Sequence, residues 1–328
     1  MFKKIIIAST MLVFAFSIVP PTVSAAALTS GQVSAIISLM RAFNVEEVIV
    51  ARVERELTGS ASPVAGDPAP APTSAHVSPV GNVYPPGAIG YDLSFNAVSY
   101  PVNPFGFVVL GATAGKAFVH NPRMASQFSW ARASSAVAPT IYLNVNAAYG
   151  STATLANMST PKACDVLFGA TTTSALSGGT FPEPTICASY NYGYNTAKDA
   201  YAYASNLTYA AVPIWWLDVE EANSWSDNTA VNDATIQGAI DYLNTQGIRV
   251  GIYSLQYMWR MIAGSSFVPT QRINGKEVAI PSWYPIGIDT RVGAINACVT
   301  KDGLFTGSPL WVVQYVESSI AVDQNVAC

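Results

Sequence analysis

Charge is what this sequence has least of. Only 11% of its 328 residues are Asp, Glu, Lys or Arg, against 50% hydrophobic, whereas a soluble domain usually carries about 25% charged residues. So apolar a composition excludes a disordered chain, and 16 Lys and Arg in no basic stripe argue against nucleic-acid binding. Two His and four Cys form no cluster spaced for zinc. A glycine-rich phosphate cradle and a Ser-His-Asp arrangement are also missing; His120, beside Asn121-Pro122, reads as structural, and His76 falls in a Pro-rich stretch. No metal and no cofactor is expected.

Long hydrophobic runs are absent too, with one exception. Mean hydropathy is +0.29, but the apolar residues are dispersed except for Ile5 to Val19. That run follows Lys3 and Lys4, precedes the small-residue stretch Val23-Ser24-Ala25, and is shorter than the ~20 residues of a membrane span. It reads as a secretory signal peptide over residues 1–25. Its removal takes Lys3 and Lys4 away and the formal charge from −4 to −6, leaving an acidic secreted protein, associated with the cell wall or free, with no membrane span. In an oxidising compartment four Cys pair. Of the three connectivities open to them, the sequence-local one, Cys164 with Cys187 and Cys298 with Cys328, closes loops of modest length and is favoured.

What is present falls into blocks. Residues 26–59 carry a short helical pair: Val33, Ile36, Ile37 and Met40 at helical spacing, with Thr29 or Ser30 as cap, then Val48, Val50, Val53 and Leu57. About 30 residues bury no core of their own, so the pair reads as a wall-targeting or oligomerising element, or as a solvated pair with no specific role. Residues 60–86 are a Pro/Ala/Ser-rich linker. Residues 87–328 alternate apolar runs with helical stretches. The expected strands are 88–94, 105–112, 140–145, 214–219, 249–254, 278–283 and 310–315; the expected helices are 121–135, 196–205, 233–246 and 257–263. That pattern predicts an α/β fold, an irregular (β/α) TIM-like barrel with few helices after Ala263. The stretch from Gly150 to Asn195 breaks the rhythm and reads as a disulfide-stapled insertion.

In such a barrel the chemistry sits at the carboxyl ends of strands, and that is where the scarce acids fall. Asp92 ends the first strand, Asp218 and Glu220 end the central one, and Asp323 lies just beyond the last. Alternation along a strand points Asp218 and Glu220 to the same side, towards the mouth. Two close carboxylates resist double ionisation, so one keeps a proton and serves as an acid while the other stays charged. Glycoside hydrolysis asks for that division. Aromatic residues near strand ends, among them Tyr91, Trp216, Trp225, Trp283, Tyr284 and Tyr315, suit stacking on sugar rings. Trp215 and Trp216 are neighbours, so one of them faces away from the mouth.

At these residues the chain resembles the family-25 glycoside hydrolases, the Chalaropsis-type lysozymes, and a related secreted lineage described as glycoside-hydrolase-like. The resemblance rests on Gly90-Tyr91-Asp92-Leu93-Ser94, Leu217-Asp218-Val219-Glu220, Gly251-Ile252-Tyr253-Ser254 followed by Trp259, Trp311-Val312-Val313-Gln314-Tyr315, and Val322-Asp323-Gln324-Asn325. It implies a barrel that cleaves the β-1,4 bond between N-acetylmuramic acid and N-acetylglucosamine in peptidoglycan. Glu220 would be the general acid, Asp218 would stabilise the substrate's own 2-acetamido group as it attacks, and Asp92 and Asp323 would complete the acidic cluster. Tyr91, Tyr142, Trp283, Gln314 and Tyr315 would contact substrate. Two departures stand out: Ala112-Thr113-Ala114-Gly115 where the family has Ala-Thr-Glu-Gly, and Tyr142-Leu143-Asn144 where it has Tyr-His-Phe. They leave room for a non-catalytic glycan-binding or cell-surface protein that keeps the barrel, or for a hydrolase of another extracellular glycan.

Overall fold

The computed structural model describes residues 29–42, 54, 81–101, 105–148, 153–164, 184–207, 209–301, 304–317 and 322–328. The chain falls into two units, Met1–Thr73 and Ser74–Cys328. In the first, helix α1 (Ser30–Ala42) buries Val33 and Ile37 on the expected face. Thr29 caps it reciprocally: the Gln32 N–H donates to Thr29 Oγ1 at 3.3 Å, and the Thr29 N–H donates to Gln32 Oε1 at 2.9 Å. The signal peptide, the second helical pattern apart from Glu54, and residues 60–80 of the linker lie outside the described residues.

The second unit is a mixed α/β barrel. Its elements run β1 (Ile89–Leu93), β2 (Phe107–Gly111), α2 (Met124–Ser134), β3 (Thr140–Asn144), α3 (Leu155–Met158), α4 (Ile186–Asn206), β4 (Ile214–Asp218), α5 (Thr229–Thr245), β5 (Arg249–Tyr253), α6 (Gln256–Ala263), β6 (Gln271–Ile273), β7 (Lys276–Val278), β8 (Ser282–Ile288), α7 (Arg291–Thr300), β9 (Leu310–Val316) and β10 (Asp323–Ala327). Eight strands close in the order β1-β10-β9-β8-β5-β4-β3-β2, and β6 and β7 form a separate hairpin. Six of the neighbouring pairs are parallel, whereas β10 runs antiparallel to both β1 and β9. This departs from the regular repeat of a (β/α) TIM-like barrel, and the reason is chain length. A parallel return needs a crossover of a dozen or more residues, and residues 317–322 between β9 and β10 are too few for one.

Other boundaries shift for local reasons. The strand expected over 278–283 lies at Ser282–Ile288, and residues before it form the β6–β7 hairpin around Asn274-Gly275, both at positive φ (53° and 76°). Asn-Gly is a strong two-residue hairpin signal, while Pro285 inside β8 reads from sequence as a strand breaker. Helix α4 begins ten residues before the expected 196, capped by the Thr185 side chain, which accepts from the Ala188 N–H. The last part of the supposed insertion is therefore helix, and its Cys187 is joined to Cys164; Cys298 is joined to Cys328, so both favoured pairings form. Helix α7 is a further helix after Ala263, capped by Thr290.

The barrel interior is packed with large rings. Phe107, Tyr142, Trp216, Trp283 and Trp311 are buried in one cluster together with Tyr84. Room for them comes from the neighbouring strand: a Cβ on Gly251 would lie 2.3 Å from Trp216 Cζ3, so only glycine fits there. Tyr84 closes the floor. Its hydroxyl accepts from Trp216 Nε1 at 3.0 Å and bonds Thr140 Oγ1 at 2.6 Å, and its ring stacks on Phe107 at 4.3 Å. Arg249 also donates to Gly81 O at 2.7 Å and Asn82 to Trp311 O at 3.2 Å. Residues 81–86, expected in the linker, thus belong to the barrel; Pro85 and Pro86 disguise them. A second, larger cluster fills the layer between strands and helices.

Candidate active site

At the carboxyl ends of the parallel strands lies a pocket of about 270 Å³ whose lining includes Asp92, Asp218, Glu220 and Asp323. Three strands bring them there. Asp92 on β1 stands opposite Asp323, the first residue of β10. Asp218 ends β4, and Glu220 two residues on reaches the same pocket while Val219 between them turns into the outer core. Asp323 was expected just past a last strand; it instead opens the antiparallel strand that closes the barrel. No Lys, Arg or His is among the residues lining the pocket.

Side-chain amides hold the carboxyls. Asn325 Nδ2 donates to Asp92 Oδ2 at 2.8 Å and Gln314 Nε2 to the same oxygen at 3.0 Å. Gln314 in turn accepts from the Tyr253 hydroxyl at 2.9 Å, and Asn325 accepts from Trp283 Nε1 at 2.8 Å. Asp218 Oδ2 accepts from Asn144 Nδ2, while Oδ1 is buried and receives no hydrogen bond from a protein donor. The loop carrying Glu220 is tied down at its backbone, where Trp225 Nε1 donates to Glu220 O at 2.7 Å; Asn223 Nδ2 likewise donates to Asp218 O at 3.0 Å.

Burial and mutual repulsion keep protons in this site. Burial, then the charge of Asp323, pushes Asp92 up to about 7 despite the two amide donors. Burial, then Glu220, drives Asp218 well above the usual carboxylate range. Glu220 is raised by burial while its hydrogen bond with Asp218 pulls it back, and Asp323 is raised by burial. Two facing carboxyls share a hydrogen bond only if one holds a proton. The Asp218–Glu220 pair therefore resists double ionisation. Such a pocket can deliver a proton to a bound oxygen and support positive charge beside it.

Of the residues expected to contact substrate, Tyr142, Trp283 and Gln314 line the pocket. Tyr91 and Tyr315 do not. Each neighbours an inward residue, Asp92 and Gln314, so alternation turns them outward: Tyr315 is buried in the outer core, and Tyr91 packs edge-on against Phe105 at 5.4 Å. Trp215 and Trp216 divide in the same way, the first outward with its Nε1 on Ala210 O, the second inward. His120 lies elsewhere, bonded to Asp199 at 2.7 Å and stacked on Tyr203. Asn144 and Tyr253, which the sequence shows only as parts of motifs, line the pocket as well, and so does Phe95. Asn144 and Tyr253 are set there by their register with Asp218, a pairing between segments, and Phe95 lies on a loop. Among the described residues no group of three or more His, Cys, Asp or Glu is arranged to hold a metal ion.

A family profile described as "Lysozyme-like protein 1" matches residues 153–284, a span that holds Asp218 and Glu220 but less than half of the chain. No curated protein matches. Among solved structures, the catalytic domain of endolysin ply40 from bacteriophage P40 of Listeria monocytogenes aligns with 16% identity and a TM-score of 0.40, over 73% of this chain and 92% of that one.

Proposed function

We propose that the barrel unit is a lysozyme-like glycoside hydrolase acting on peptidoglycan. The observation that carries this reading is the convergence of Asp92, Asp218, Glu220 and Asp323 on one pocket lined by no cation. The lysozyme-like match across Asp218 and Glu220 supports it. The bond cleaved is the β-1,4 link from N-acetylmuramic acid to N-acetylglucosamine. The Asp218–Glu220 pair enters the reaction with one proton. Glu220 passes it to the glycosidic oxygen as the bond to the anomeric carbon breaks, and the carbonyl oxygen of the substrate's 2-acetamido group attacks that carbon. Asp218, ionised, accepts the acetamido N–H and steadies the positive charge of the cyclic intermediate. Water then attacks the anomeric carbon, returns a proton to Glu220, and reopens the ring. Asp92 and Asp323 hold the sugar and raise the proton affinity of the pair.

The signal-peptide pattern supports a location outside the cell, where the helical pair with its linker would tether the barrel to the wall. The test is digestion of purified sacculi by the full chain, reading new reducing ends. Release that Glu220→Gln abolishes is the expected result; no release, or release unchanged by that substitution, overturns the proposal. A second reading, a glycan-binding protein that keeps the barrel without cleavage, is favoured by Ala114 standing where the resembled family has a carboxylate. Sedimentation with sacculi that Glu220→Gln leaves intact, with no reducing ends formed, is its signature.

A further inference from the structure

The departure at the end of β3 puts an amide where the resembled family has an aromatic ring, and the structure gives that amide one orientation. Asn144 is only 6% exposed and sits directly opposite Asp218, itself 6% exposed, in the β3–β4 register. Its Oδ1 accepts from the Thr113 hydroxyl at 2.7 Å and from the Gly115 N–H at 3.1 Å. Thr113 Oγ1 accepts in return from the Asn144 backbone N–H at 2.8 Å. A backbone N–H only donates and that hydroxyl has one proton, so the oxygen end of the amide is fixed and the amide cannot flip. Nδ2 is left to donate to Asp218 Oδ2. The other oxygen of Asp218 is buried, receives no hydrogen bond from a protein donor, and belongs to a side chain that lines the pocket.

We propose that Asn144, clamped by Thr113 and Gly115, is a positioning residue that commits Asp218 Oδ2 as an acceptor and so confines the proton and the substrate contact of Asp218 to Oδ1. This rests on the reading of Asp218 and Glu220 given above. An amide N–H on Oδ2 favours the ionised form of Asp218, the form that must receive the acetamido N–H while Glu220 keeps the proton. The titratable groups around Asp218 are Glu220, Asp92, Asp323, Tyr142 and Tyr253, all acids, and two amides oppose their repulsion, Asn223 from the loop beyond β4 and Asn144 on Oδ2 from the β3 side.

The test uses the full chain with Asn144→Asp, a near-isosteric change that keeps the acceptor for Thr113 and Gly115 but turns the donor into an acceptor, and Thr113→Val, which removes one half of the clamp. On sacculi, Asn144→Asp is expected to lower kcat by about 100-fold with KM little changed, and to move the acidic limb of the pH profile up by about one unit. Thr113→Val should move both in the same direction, by about tenfold in kcat. Carboxyl NMR titration of Asp218, with selectively 13C-labelled aspartate, reads the contact without substrate: its midpoint should rise in both variants. A wild-type chain inert on sacculi would defeat the functional reading, whereas the NMR shift would still uphold the hold on Asp218. An Asn144→Asp protein with wild-type thermal unfolding, an unmoved acidic limb and an unmoved Asp218 midpoint overturns the proposal; if that variant does not fold, the same comparison on Thr113→Val decides it.

Discussion

Asn325 donates to Asp92 at 2.8 Å across the antiparallel seam of the barrel, between residues 233 apart in sequence. The amide has no freedom to reverse, because its oxygen accepts from Trp283 Nε1, a group that only donates. Replacing Asn325 with Ala strips Asp92 of a donor and leaves a buried indole N–H without its acceptor. The expected cost is about 1–3 kcal/mol of stability in urea unfolding, together with an Asp92 titration midpoint above its present value of about 7. An unchanged midpoint would mean that the amide does not govern Asp92.

The same site predicts how stability follows pH. Asp92, Asp218, Glu220 and Asp323 are all raised above their ordinary values, so the folded protein binds more protons than the unfolded chain, whose carboxyls titrate near ~4. The stabilisation from these groups is fully present below about pH 4 and is lost as pH rises through the folded values, for Asp92 about 7. The urea midpoint should therefore be lower at pH 8 than at pH 5. Asp92→Asn, neutral throughout, should flatten the change by roughly 1–4 kcal/mol. A midpoint that rises over this interval contradicts the assignment.

Packing in the barrel interior gives a sharper structural test. Gly251→Ala would set a methyl 2.3 Å from the Trp216 ring, and the ring cannot retreat while its Nε1 is held by Tyr84. Overpacking of this kind costs about 1–3 kcal/mol or more. Trp216→Leu added to Gly251→Ala should relieve part of that loss, so the two substitutions should be non-additive in chemical denaturation. Strict additivity would show that the ring and the glycine do not compete for the same space.

Cys298 and Cys328 are 30 residues apart, and Cys164 and Cys187 are 23 apart. By loop-closure entropy each bond contributes roughly 3–4 kcal/mol. The two differ in what they hold. Cys328 directly follows β10, which carries Asp323 and Asn325, so Cys298→Ala with Cys328→Ala should lower both the unfolding temperature and the rate on sacculi. Cys164→Ala with Cys187→Ala should lower the unfolding temperature with a smaller effect on rate. Calorimetry and reducing-end assays on both pairs distinguish these outcomes.

The strand-end acids and the first five barrel strands were legible because each depends on one segment: an apolar run, its alternation, and the residue at its end. What escaped depends on pairing between segments. β10 reads Asp-Gln-Asn-Val-Ala, a poor strand former in isolation, and is a strand because β1 and β9 flank it. Asn144 and Tyr253 matter only through the register that sets both beside Asp218. Tyr91 and Tyr315 were drawn to the mouth by their distance from strand ends, although the parity of the neighbouring Asp92 and Gln314 assigns them outward. Tyr84 was lost among prolines, and its role emerges only from the rings it touches.

The sealed floor formed by Tyr84, Phe107 and Trp216 turns the barrel into a cul-de-sac. A glycan strand cannot thread through it from end to end. Whatever reaches Glu220 arrives and leaves by one opening, at the carboxyl ends of the parallel strands. On the proposed reading, substrate and product share that single route.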